Sequence, residues 1–133
     1  MSRKLEICCT SLNDARVACE CGADRIELCE DLSVGGVTPN TDLVSSVISN
    51  VKAPVFVLIR IRGGDFNFDD NEVEKMIGSI RAVKNLGVHG IVSGALNECG
   101  EINIEVTKEM INITRPLPFT FHRAFDECPD RSI

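Results

Sequence analysis

Apolar and polar positions along this chain follow two periods that take turns. Short runs rich in β-branched and apolar residues, at Leu5–Cys9, Arg25–Cys29, Val55–Arg60, Gly90–Ser93 and Phe119–His122, have the length and character of strands. Segments of helical period lie between them. Ser11 is placed to cap a first helix, with Asp14 favouring the positive end of its dipole and Gly22 ending it. A second helix follows Pro39, where Leu43, Val44, Val47, Ile48 and Val51 form one stripe. A third starts at Asp69 or Asp70, with Val73, Met76, Ile77, Ile80 and Val83 on one face, and Gly87 closes it. The fourth runs from about Asn103 to Thr114 and is stopped by Pro116, which has no N–H to donate and biases Arg115 away from helical dihedrals.

Strand, turn and helix repeated four times before a fifth strand is the alternation of βα units in one domain spanning residues 1–133. It predicts an α/β fold, a (β/α)8 TIM-like barrel represented by its first five strands and four helices. A closed barrel usually takes about 250 residues, whereas this chain has 133. The sequence is therefore expected to be a truncated barrel with unpaired strands at both sheet edges. Such edges recruit further strands, which predicts a homo-oligomer or a larger assembly. A faint repeat, Gly22-Ala23-Asp24-Arg25-Ile26 and Gly87-Val88-His89-Gly90-Ile91, sets a helix-ending glycine before a strand, as ordinary loop chemistry does.

Composition narrows the class. Hydrophobic residues make up 44% and charged residues 26%, enough apolar mass for one core. No apolar run approaches the roughly 18 residues of a membrane span, and the Met1-Ser2-Arg3-Lys4 start is unlike a secretory leader. A cytoplasmic location without membrane contact is expected, with the nucleus also open. The net charge of −6 argues against nucleic acid, whose phosphates call for clustered Lys and Arg. Seven cysteines is an odd number, none is spaced as C-x-x-C, and in a reducing compartment they are expected to be free thiols.

Chemistry gathers at the predicted strand ends. The first two strands finish in matching triplets, Glu6-Ile7-Cys8 and Glu27-Leu28-Cys29, and the two-residue period puts each Glu and its Cys on one face. In a barrel that face is the lumen, and the thiols sit near its C-terminal mouth. Neighbouring strands lie about 4.8 Å apart, so the two thiols can bind a soft metal such as Cu(I) or zinc, form a disulfide, or simply fill space. Arg60 and Arg62 share a face of the third strand ahead of Gly63-Gly64-Asp65. They are candidates to grip a small carboxylate or phosphate, or, in the case of Arg60, to neutralise Glu6 and Glu27. His122 shares a face with Thr120 on the fifth strand and is a candidate third metal ligand, a general acid or base, or a hydrogen-bonded structural residue. Cys9, Cys19, Cys21, Cys99 and Cys128 read as structural or incidental, and His89 as lying at the barrel bottom. The Gly35-Gly36 and Thr38-Pro39 stretch enters a helix whose N-terminus is a candidate anion site or a plain loop.

Leu5-Glu6-Ile7-Cys8, Gly22-Ala23-Asp24-Arg25-Ile26-Glu27-Leu28-Cys29, Gly35-Gly36-Val37-Thr38-Pro39, Gly63-Gly64-Asp65-Phe66 and Thr120-Phe121-His122-Arg123-Ala124-Phe125-Asp126 together resemble the CutC copper homeostasis family. The resemblance implies a TIM-like barrel in the cytoplasm and a role in copper handling, with Cu(I) bound by Cys8 and Cys29. It also implies that Glu6, Glu27, Arg60, Arg62, His122 and Arg123 line or support the site. The chain departs from that pattern at Ile61, where a proline is usual, and at Asn40, where a serine is usual. Two other functions stay open: a barrel enzyme acting on a small anionic metabolite, with Glu27 or His122 moving a proton, and a truncated product that works only in an assembly.

Overall fold

The computed structural model describes residues 5–121. Its elements follow the predicted alternation: β1 (Glu6–Cys9), α1 (Leu12–Glu20), β2 (Arg25–Leu28), α2 (Thr41–Asn50), β3 (Val55–Leu58), α3 (Asp70–Asn85), β4 (Gly90–Ser93), α4 (Ile104–Thr114) and β5 (Phe119–Phe121). All neighbouring strands are parallel and the order is β1-β2-β3-β4-β5. This is the consecutive βα arc from which (β/α)8 barrels are built.

The helix starts are set by side chains. Ser11 accepts from the Asp14 N–H at 3.0 Å, as its sequence position predicts. Asp69 and Glu72 form a reciprocal capping box at α3. At α2 the cap is Asn40, whose Oδ1 accepts from the Leu43 N–H at 2.8 Å. The residue that replaces the more usual serine thus does the same job, since both present an oxygen to the free N–H groups of the first turn.

Strand alternation divides the buried side chains into two groups. Cys9, Ile26, Leu28, Val55, Val57, Ile59 and Ile91 meet Ala15, Ala18, Val44, Val47, Met76, Ile80 and Met110 in the layer between sheet and helices. Cys29, Phe56, Leu58 and Val92 form a separate cluster on the other face, the lumen side. Three strands are shorter than expected: β1 begins at Glu6 rather than Leu5, β2 ends at Leu28 rather than Cys29, and β3 ends at Leu58 rather than Arg60. The Ile59 N–H still donates to the Val92 carbonyl of β4 at 2.8 Å, but at Arg60 the backbone partners come from a loop, with the Arg60 N–H donating to Thr38 Oγ1 at 2.8 Å and the Arg60 carbonyl accepting from the Thr38 N–H at 3.0 Å.

Candidate functional site

Register decides which side chains become neighbours. Cys8 pairs with Glu27, Glu27 with Phe56, and Phe56 with Gly90, so these four positions form one rung across the lumen face. Glu6 pairs with Arg25 one rung earlier. Cys29, whose N–H donates to the Cys9 carbonyl at 3.0 Å, lies one rung later. The matching triplets therefore do share a face, as alternation predicts, but the two cysteines are diagonal neighbours rather than direct ones. With strands about 4.8 Å apart and a rise of about 3.3 Å per residue, that diagonal puts their Cα atoms about 8 Å apart. This exceeds the span a disulfide closes, and both are free thiols.

The rung is acidic. The Cys8 thiol donates to Glu27 Oε2 at 3.4 Å, and Arg25 pairs with Glu6. Burial, reinforced by the Glu27 carboxylate, pushes the Cys8 thiol up to about 12. Cys29 is pushed to about 11, again by burial first and Glu27 second. Glu27 itself is raised, by burial and then by a hydrogen bond shared with Glu6. Cys8 is exposed whereas Cys29 is 2% exposed, beneath Phe56, Leu58 and Val92.

Glu27→Gln tests this electrostatic picture. Removing the negative charge lowers the Cys8 pKa, so alkylation of Cys8 near pH 8 is expected to speed up severalfold, with exposed Cys21 and Cys99 as internal references. Because Glu27 holds its proton more tightly when folded, its stability contribution is complete below its ordinary value of 4.5 and is lost as pH rises through the folded value. The variant is therefore expected to melt a few degrees above the parent at pH 7 and level with it near pH 4. An unchanged Cys8 rate together with an unchanged melting curve would mean that Glu27 is not held against its charge.

The two arginines that sequence alternation set on one face have separate tasks. Arg60 is 2% exposed and lies over the Phe66 ring at 4.6 Å. Its guanidinium donates to the carbonyls of Val34, Gly36 and Gly64 at 2.8, 3.2 and 2.7 Å. It thereby ties the loop after β2 to the loop after β3. The cation that neutralises Glu6 is Arg25, which also lies over the Phe56 ring at 4.1 Å. Arg62 meets a carboxylate through two nitrogens, but that carboxylate is the chain's own Glu72, at 2.6 and 3.3 Å. It holds the Glu72 carboxyl below the usual range, mainly through this hydrogen bond. The N-terminus of α2 is likewise engaged internally, since Glu30 Oε1 accepts from the Asn40 N–H at 2.7 Å and its side-chain amide at 2.9 Å.

Alternation applied to Arg25 and Phe56 would have added both to the site, because each stands two residues or one register step from Glu27. Glu30 gave no comparable signal. His122 and Arg123 lie outside the described residues, as do Asp126 and Cys128. Among the described residues no three His, Cys, Asp or Glu side chains are grouped to hold a metal ion. No helix among them is long and apolar enough to cross a membrane. His89, expected at the barrel bottom, accepts from the Val55 N–H at 3.0 Å through Nδ1, at the start of β3.

Comparison with known proteins follows the same arc. The crystal structure of the putative copper homeostasis protein CutC from Streptococcus agalactiae superposes with a TM-score of 0.91 at 31% identity, covering 96% of this chain and 62% of that one. A rubisco-like protein from Burkholderia fungorum, 18% identical with a TM-score of 0.60, shares the fold over 92% of this chain and 31% of its own. In sequence, the human copper homeostasis protein cutC homolog is 49% identical over 126 residues, 95% of this chain and 46% of its own length. A CutC family protein from Pasteurella multocida is 44% identical over 127 residues, 96% of this chain and 52% of its own length. The chain thus spans about half the length of the curated relatives it matches. The CutC family model itself matches residues 3–133, and the chain belongs to the CutC family.

Proposed function

We infer that this chain handles copper by holding Cu(I) between the thiolates of Cys8 and Cys29, as cargo of a copper homeostasis protein in the reducing cytoplasm. The observation that carries this reading is the pair of free thiols on one face of β1 and β2, set diagonally around Glu27. A separation that is too long for a disulfide leaves room for one soft ion between two sulfurs, and two thiolates favour Cu(I) over hard cations. Burial first and the Glu27 carboxylate second keep both thiols protonated, and that carboxylate also favours a positive ion in the protons' place. Binding converts two thiols and Cu(I) into a bis-thiolate complex and releases two protons. The names of the human and streptococcal relatives, both copper homeostasis proteins, point the same way. The anionic-metabolite reading has less support, because Arg60 and Arg62 already serve backbone carbonyls and Glu72.

Titration of the reduced protein with Cu(I) against a chelator tests the site. Cys8→Ser and Cys29→Ser are each expected to weaken binding by about 100-fold or more, since a single thiolate remains. In the parent, loss of two protons on binding predicts that affinity falls by up to about 100-fold for each unit of acidification, below the pKa of both thiols. Parent-like affinity in both serine variants would remove the assignment.

A further inference from the structure

The two thiols of the proposed copper site are unequally open to a metal ion. Cys8 is exposed, whereas Cys29 on the neighbouring strand is buried. The backbone of the loop after β2 lies against the Cys29 sulfur, so close that a Cβ on Gly36 would stand 3.4 Å from it. Residues 31–36, which make this cover, have the form of a separate unit. The N–H groups of Gly36 and Gly35 donate to the carbonyls of Asp31 and Leu32, each at 3.0 Å, so the segment satisfies much of its own backbone. Its ends meet in one antiparallel bridge between Glu30 and Val37. Among the described residues Asp31 is the one non-glycine with positive φ, and Gly35 and Gly36 at the other end are left-handed too.

Two contacts seat this unit. Val34 rests on Gly63, where a Cβ would fall 2.6 Å from the Val34 Cβ and 3.2 Å from both of its methyl carbons. The Arg60 guanidinium holds the carbonyls of Val34 and Gly36. Apolar burial adds little, since Leu32 is 56% exposed and Val34 39%, and among the described residues none from 31–36 joins either core cluster. Segments with few buried apolar contacts open at a fraction of the cost of global unfolding. Cys9 makes the contrast plain. It is buried too, but in the layer between sheet and helices, where reaching its sulfur requires the core itself to part.

We propose that residues 31–36 are a lid over Cys29, and that copper enters the site in a fixed order, first on Cys8 and then, once the lid lifts, on Cys29. Cu(I) arrives on the thiolate of a donor. Cys8 makes the first sulfur–copper bond and gives its proton to water. Cys29 then makes the second, and the donor leaves as a free thiol carrying the proton of Cys29, with copper remaining Cu(I) throughout. The order of entry rests on Cys8 and Cys29 being the copper ligands, whereas the lid does not.

Iodoacetamide labelling of the reduced full chain, read site by site by mass spectrometry, tests the lid without copper. Burial above all pushes both the Cys29 and the Cys9 thiol up to about 11, so their rates compare access rather than reactivity. Cys29 is expected to label about tenfold or more faster than Cys9, and more slowly than exposed Cys21 and Cys99. Gly63→Ala unseats Val34 through its added methyl group, and Val34→Ala removes the methyls that rest there. Each is expected to speed Cys29 severalfold and leave Cys9 unchanged. Equal rates for Cys29 and Cys9, equal rates for Cys29 and Cys21, or no response to either variant overturns the lid. Stopped-flow mixing with Cu(I)-glutathione, followed by the ultraviolet absorbance of copper–thiolate bonds, tests the order. Two phases are expected: a fast one proportional to copper and retained in Cys29→Ser, and a slow one that levels off with copper and that both lid variants accelerate. A single phase, or a slow phase indifferent to both variants, overturns the order of entry. Parent-like equilibrium binding in both serine variants would instead overturn the copper ligands and the order with them, while the labelling rates still judge the lid.

Discussion

Arg60→Met is expected to destabilise the protein by about 3 kcal/mol or more and to lower its melting temperature by about 10 °C. The methionine keeps an apolar stem against Phe66 but supplies no donor. The carbonyls of Val34, Gly36 and Gly64 then lose the group that joins them; the buried Gly36 acceptor left unpaired costs about 1–3 kcal/mol, and the two part-buried bonds add about 0.5–1.5 kcal/mol each. The effect reaches the site, because Gly36 backs onto Cys29: a Cβ added at Gly36 would lie 3.4 Å from the Cys29 sulfur and 3.0 Å from a Leu58 methyl carbon. Loosening the loop uncovers a thiol that is otherwise buried. Thermal melting and Cys29 alkylation should therefore change together, with faster hydrogen exchange over residues 30–40. A variant that melts within about 1 °C of the parent would show that Arg60 does not join the loops.

Gly90→Ala is expected to cost about 2–3 kcal/mol, a large effect for one methyl group. A Cβ at Gly90 falls 2.3, 2.5 and 2.6 Å from three carbons of the Phe56 ring. The ring cannot simply swing away, since Arg25 lies over it at 4.1 Å and Leu58 and Val92 share its cluster. In a Phe56→Leu background the same substitution is expected to cost less than about 1 kcal/mol, so the double-mutant cycle should give a coupling of more than about 1 kcal/mol. If Gly90→Ala costs the same in both backgrounds, steric conflict with Phe56 is not its cause. Displacing the ring also disturbs Glu27, its partner on the rung, so Gly90→Ala should alter the alkylation rate of Cys8 without touching it.

Much of this architecture is legible in the sequence because the periods are strong and local. The Ser11 cap, the start of α3 at Asp69 and the apolar stripes of α2 and α3 follow from residues within one or two turns. Which face of β1 and β2 carries the Glu-x-Cys triplets follows equally from alternation. What alternation leaves open is the offset between strands. Pairing of Cys8 with Glu27 rather than Cys29 is set by register, which depends on the packing of whole strands. The arginines show a different limit. Arg60 and Arg62 are two residues apart, and they would share a face if β3 continued, but it stops at Leu58. Their partners are backbone carbonyls and a carboxylate ten residues away, contacts that carry no sequence signature. Arg25 was within reach of the same rule that found Glu27, and it is the residue that keeps Glu6 from standing as a second uncompensated charge on that face.

The order of the strands in the sheet repeats their order in the chain, and this has a bearing on synthesis. Each strand finds its hydrogen-bonding neighbour in the segment made immediately before it. Across the five described strands a nascent polypeptide leaving the ribosome can therefore grow this part of the sheet by accretion, one βα turn upon the last.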